Sequence, residues 1–262
     1  MQTLVDMFSP NKRINKQNFV IMCAIQVLFL IGFWSFGKSA FMPSPSEIIT
    51  SFGDLINSEN LFAELYESTM LAIQAVVITT LVSLLISYST VLPFFRPMAY
   101  IISKMRFLSL VGLSFFFTMV TSSGHQLKVS ILVFGMSVFF VTSFCEVIAS
   151  INKNEFTHAR TLRMSELQVM WEVIIIGKLD IVFEVIRQNF AIAWMMLTMV
   201  EGISRADGGI GTLLLNQNKH FQLSAIFAIQ LTIFSIGIIV DYCFGLSREF
   251  FFPYATLTKE KK

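Results

Sequence analysis

The chain has 262 residues, 55% of them hydrophobic and only 14% charged, with a formal net charge of +2 and a mean hydropathy of +0.69. Soluble domains carry about a quarter charged residues, so the missing charge argues for an all-α membrane protein, and so small a net charge points away from nucleic acid. The three cysteines, Cys23, Cys145 and Cys243, are far apart in apolar runs and support neither a zinc site nor a disulfide framework.

A helix needs roughly 20 apolar residues to cross the hydrocarbon core. By that measure a segment over 1–18 precedes a single membrane domain over 19–254, followed by a tail over 255–262. About six spans are expected: Phe19–Phe36, Leu65–Leu92, Phe107–Val120, Val129–Ile151, Phe183–Val200 and Leu223–Leu246. The third is short, and the fifth opens with Glu184, Arg187, Gln188 and Asn189. The first resembles a secretory signal in its basic flank, but its apolar run exceeds the usual length of about 7–15 residues and reads as a retained anchor.

Six alternating spans with a cytoplasmic amino terminus put 15 of the 19 Lys and Arg residues inside and four outside, namely Lys38, Lys128, Arg205 and Lys219. This is the positive-inside pattern of an inner-membrane protein with both termini in the cytoplasm.

Three stretches between the spans carry further information. In Met42–Glu47, Ser44 and Glu47 have capping-box spacing and Pro45 falls at the first helical position. Behind them Ile48, Phe52, Leu55 and Ile56 share one helical face, which predicts an amphipathic helix lying on the outer membrane surface. The second stretch, the inside segment over 152–182, is too long for a turn. Leu167, Met170, Trp171 and Ile174 repeat at helical spacing there, and Thr157–Ser165 forms a polar run ahead of them. Such an elbow suits docking of another protein, or rest on lipid headgroups. In the third, Asp207–Leu214, Gly208, Gly209 and Gly211 lack the Lys-Ser/Thr of a phosphate loop. They predict a tight turn with positive φ before a short helix.

Together these segments resemble the permease subunits of binding-protein-dependent ABC importers, in the nitrate, sulfonate and taurine branch. Met42–Glu47 matches that branch's PSPSE segment, Gly209-Ile210-Gly211 its Gly-Leu-Gly turn, and Thr157–Ser165 lies in register with its cytoplasmic E-A-A-R-x-L-G-A-S loop. Within the loop Ala159, Arg160, Leu162 and Ser165 keep the family type and Thr161 is a near match. Thr157, His158 and Arg163 replace Glu, Ala and the central Gly, and Met164 completes the segment. The turn there is therefore expected either to be made differently or to give way to one longer bent helix.

The resemblance implies a type I importer fold with a coupling elbow. It also implies a second copy of this chain, a cytoplasmic ATPase dimer that binds ATP, an external solute-binding protein, and no cofactor on this chain. Thr157–Ser165 would dock on the ATPase, with Ala159 and Leu162 buried there and Arg160 or Arg163 pairing with acidic groups.

Polar groups at membrane depth are pathway candidates: Gln74, Trp194, Glu201, Gln230 and Asp241. Each has a plainer role open to it. Asp241 is within reach of Arg248, Glu201 falls at the outer interface, and the two glutamines suit interhelical hydrogen bonds. His125, His158 and His220 fall on different loops, and no nucleophile or zinc-protease motif is present, so a non-enzymatic subunit is expected. An ATP-independent secondary transporter and a docking scaffold remain the alternatives.

Overall fold

The computed structural model describes residues 16–36, 42–204 and 207–253. Lys12, Arg13, Lys38, Arg205, Lys259, Lys261, Lys262 and the tail over 255–262 therefore lie outside the described residues. The two ends of the bundle are called outer and inner after the side on which the charge pattern expects them.

The described chain is all-helical. In order come α1 (Lys16–Phe36), α2 (Pro45–Ser58), α3 (Leu61–Ser89), α4 (Arg96–Lys104), α5 (Leu110–Val120) and α6 (Gly124–Ala149). The elbow follows, then α9 (Leu179–Ile203), α10 (Ile210–Lys219) and α11 (Leu223–Phe251), with α7 and α8 (Lys153–Thr161 and Glu166–Val169) inside the elbow.

Among the described residues α3, α6 and α11, at 29, 26 and 29 residues, are long and apolar enough to cross a membrane, and the bent pair Pro93–Phe107 with Leu110–Val120 makes a fourth if taken as one span. Of the other two expected spans, α1 holds a shorter apolar stretch, Gln17–Phe29, and α9 is 25 residues long but opens with Asp180, Glu184 and Arg187. The span expected at Phe107–Val120 is corrected: its helix is the 11-residue α5, set at 111° to the helical run before it. Leu108 and Ser109 are extended there (ψ 134° and 121°), which ends the interfacial run and lets the apolar helix restart.

The core lies between α3, α6 and α9. Ile131, Leu132 and Met136 of α6 meet Ala72 and Ala75 of α3 and Leu197 of α9, all essentially inaccessible. A second cluster at the inner end joins Phe140 and Phe144 to Val182 and Val185. Between helices in lipid such contacts gain close van der Waals packing rather than transfer from water.

At the start of α2, the Glu47 amide donates to Ser44 Oγ at 3.4 Å and the Ser44 amide to Glu47 Oε2 at 3.0 Å, completing the capping box read from the sequence. Its apolar face, however, does not lie on lipid. Ile48 and Leu55 are buried in the core, α2 packs against α11, and Ser51 Oγ donates to Ser224 Oγ at 2.8 Å.

Candidate functional site

Two places gather polar chemistry, one at each end of the bundle.

At the outer end the turn before α10 puts Gly208 and Gly209 at φ +68° and +110°, the conformations expected of them. A glycine N-cap has no side chain, so the first amides of α10 need distant acceptors. Gly209 donates to Glu64 Oε2, Ile210 to Ser68 Oγ at 2.8 Å, and Gly211 to Glu201 Oε2 at 2.7 Å. Ser68 Oγ in turn donates to Glu201 Oε1 at 2.5 Å. Two carboxylates at a helix amino terminus also meet the positive end of its dipole. Lys128 is 3% exposed and donates from Nζ to the Gly208 carbonyl at 2.8 Å, which fixes the turn from the opposite side. Gly211 lies inside α10 and not in the turn. A Cβ there would stand 2.6 Å from the Thr198 backbone, so its role is close approach of α10 to α9.

Beside this cluster opens a cavity of about 410 Å³, lined by Tyr66, Glu67, Gln74, His125, Lys128, Glu201 and Asp207 among others. Gln74 Oε1 lies 2.9 Å from His125 Nε2, joining α3 to α6. The structure thus brings Gln74 and Glu201 to one cavity and leaves the other pathway candidates elsewhere. Glu201 is not at an exposed interface but 1% exposed and engaged in capping α10. Trp194 is a packing residue: its Nε1 donates to the Ile233 carbonyl at 2.9 Å, and its ring stacks on Phe190. Gln230 is exposed on α11. Asp241 pairs with Arg187, not Arg248, which is drawn instead to Glu184 at 2.9 Å and Asp180 at 3.7 Å. The register of α9 against α11 decides this, because each arginine meets the carboxylate facing it across the helix pair.

At the inner end the elbow begins with α7, capped when the Asn154 amide donates to Asn152 Oδ1 at 3.0 Å. It turns at Arg163, whose φ of +59° is left-handed. The turn therefore keeps the conformation a glycine would serve, at a cost of about 1–2 kcal/mol for an L-residue; it is neither made differently nor replaced by one long helix. Ser165 then caps the next helix in a box with Gln168. Arg160 Nε and Nη2 donate to the two oxygens of Glu166 at 2.9 and 3.0 Å, and Lys178 reaches Glu155 at 3.0 Å. The Arg160 guanidinium holds the Glu166 carboxyl below the usual glutamate range by hydrogen bonding, and Glu166 raises Arg160 in return.

From Met170 to Ile175 the backbone is π-helical, and a 3₁₀ turn over Ile176–Lys178 leads into α9. A π turn sets residues five apart on one side, and Val169 and Ile174 are both 2% exposed. This splits the stripe expected of Leu167, Met170, Trp171 and Ile174: Leu167 and Trp171 point out, 76% and 55% exposed, and Leu162 earlier in the elbow is 60% exposed. Ala159 is also reassigned, since it is buried against its own chain at 5% and has no surface to offer a partner. Thr157, His158, Thr161 and Arg163 are exposed, and Met164 is half-buried.

Glu64, Ser68, Lys128 and His125 are the site residues that the sequence reading passed over. Glu64 and Ser68 stand four apart on one helix face, a readable spacing; nothing local marks Lys128 as buried.

No family model matches the chain, and no curated protein does. Among solved structures, the fold is similar to that of an amino acid ABC transporter crystallised with histidines, with a TM-score of 0.60 and 18% sequence identity, over 76% of this chain and 96% of that one. The likeness extends along nearly the whole length of that chain, and the protein shares its all-helical membrane fold.

Proposed function

We propose that the chain is the permease subunit of an ABC importer, placed in the cytoplasmic membrane with both termini inside and paired with a second copy of itself. A cytoplasmic ATPase docks on the elbow, and an external solute-binding protein delivers the solute. The PSPSE-type segment and its capping box support the nitrate, sulfonate and taurine branch.

The observation that carries the reading is the elbow tip. Leu162, Leu167 and Trp171 are exposed on a segment cross-linked by its own ion pairs, outside the apolar bundle, next to Arg163, which makes no ion pair among the described residues. An apolar ridge with an aromatic anchor is the composition of a protein contact. Through the continuous backbone over Met170–Lys178, a push on this ridge reaches α9, which packs on α3, α6 and α11 at once. A two-state shift of packed helices is what alternating access requires.

The test is retention of a co-expressed ABC ATPase on the affinity-tagged full protein. Leu162→Asp and Trp171→Ala are expected to abolish retention while membrane insertion continues. Retention unchanged in both variants overturns the elbow as the contact and returns the choice to a secondary transporter or a scaffold. The orientation is checked in the same material. A single cysteine at Ser58 should react with an impermeant maleimide in intact cells and one at Asn154 only after lysis.

A further inference from the structure

We propose that a cavity at the inner end, between α3, α4, α6 and the elbow, binds one anionic phospholipid, its phosphate held by Arg96 and Arg160 and an acyl chain laid on the apolar wall. The cavity measures about 580 Å³ and is distinct from the ridge that receives an ATPase, because Leu162, Leu167 and Trp171 do not line it. The site therefore stands or falls independently of what docks on the elbow.

Its charge is positive. Glu166 takes Nε and Nη2 of Arg160, leaving Nη1 without a hydrogen-bond acceptor among the described residues. Arg96 makes no ion pair among the described residues. Two guanidinium groups and one carboxylate thus line the space, and Glu166 holds Arg160 by two hydrogen bonds. Guanidinium groups match a phosphate with paired donors.

Apart from Thr90 and Cys145 the remaining wall is apolar, with Val91, Ala99, Ile148, Phe156, Val169 and Ile174 among its residues. A pocket for a free anion gains nothing from such a wall, whereas a lipid uses both halves. The position agrees. α4 has no buried residue, carries Met98, Tyr100 and Ile101 exposed, and ends at Lys104 with Arg106 just beyond, as a helix at the membrane boundary does. Basic pockets between spans on the cytoplasmic side collect anionic headgroups. A lipid held there ties α4 to the elbow through Arg96 and Arg160.

Cys145 is half-buried and lines the cavity, so it reports occupancy. The full chain carrying Cys23→Ser and Cys243→Ser is reconstituted in phosphatidylcholine vesicles with or without phosphatidylglycerol. It is then treated with N-ethylmaleimide, an uncharged reagent that the surface potential does not concentrate. Modification of Cys145 is expected to slow several-fold with phosphatidylglycerol and to be unchanged by inorganic phosphate or glycerol phosphate added to phosphatidylcholine vesicles. Arg96→Gln should abolish the slowing, Arg96→Lys retain part of it, and Arg106→Gln, which alters a cation outside the cavity, retain all of it. Equal rates in the two vesicles, or slowing that survives Arg96→Gln in a protein of unchanged helix content, overturns the proposal. Protection by free phosphate would make the site one for soluble anions. Protection that appears only with an ATPase bound would assign the cavity to protein. Either result also overturns it.

Discussion

Arg187 and Asp241 meet across α9 and α11 in a two-pronged pair, with Nε donating to Oδ1 and Nη2 to Oδ2, both at 2.6 Å. Nearer the inner end Arg248 continues the arrangement, taking Glu184 at 2.9 Å and Asp180 at 3.7 Å. The charges that interrupt the fifth apolar stretch therefore help fix that helix to the last one, together with the Trp194–Ile233 hydrogen bond.

Removing both members should harm the protein less than the two single removals added together. The first removal already ends the interaction, and residues in direct contact do not contribute additively. In thermal unfolding of the detergent-solubilised protein, the Tm losses of Arg187→Gln and Asp241→Asn should sum to more than the loss of the double variant. Simple additivity would mean the two side chains are neighbours without a coupling.

The contact between α10 and α9 depends on a missing methyl group. Gly211→Ala would place Cβ 2.6 Å from the Thr198 Cα and carbonyl oxygen, atoms that cannot swing aside. A loss of about 1–3 kcal/mol is expected, as for overpacking generally. Gly53→Ala in α2 has nothing within 4 Å of the new atom and should be neutral or gain up to about 1 kcal/mol of helix propensity. Equal Tm values for the two variants would refute the close approach.

Arg163 offers an opposite case. With φ at +59°, Arg163→Gly relieves the left-handed penalty of about 1–2 kcal/mol, less the greater entropy of an unfolded glycine. Arg163→Val should cost more than the native arginine, since a β-branched residue tolerates positive φ poorly. Hydrogen exchange over 157–169 reads both. Slower exchange in Arg163→Val than in Arg163→Gly would contradict the turn conformation.

Local features were legible in the sequence, and distant ones were not. The Ser44 capping box, the Gly208-Gly209 turn and the inner elbow each depend on residues within a few positions of one another, so spacing alone discloses them. The partners of Asp241 and Glu201 lie 54 and 133 positions away, at Arg187 and Ser68, and depend on which helices pack together. For the same reason Lys128 counted as an outer-loop charge although it is buried under Gly208. The break at Leu108-Ser109 was hidden because neither residue type forbids a helix; only the backbone shows it. The parting of Trp171 from Ile174 was not legible either, since an α-helical period puts them on one face and here the chain is wound wider.

That wider winding separates two azimuths that a regular helix would lock together. On an α-helix Val169 and Ile174 would stand about 140° apart, yet here both face inward. Upstream of Met170 the chain is phased to its exposed ridge, and downstream of Leu179 it is phased to the bundle. A homologue lacking one residue in this interval would have to choose. Its ridge would swing by about 100° around the axis relative to α9, turning Leu162 and Leu167 together to another side of the bundle. The number of residues between Val169 and Leu179 is thus as much a specification of the proposed docking face as the side chains on it.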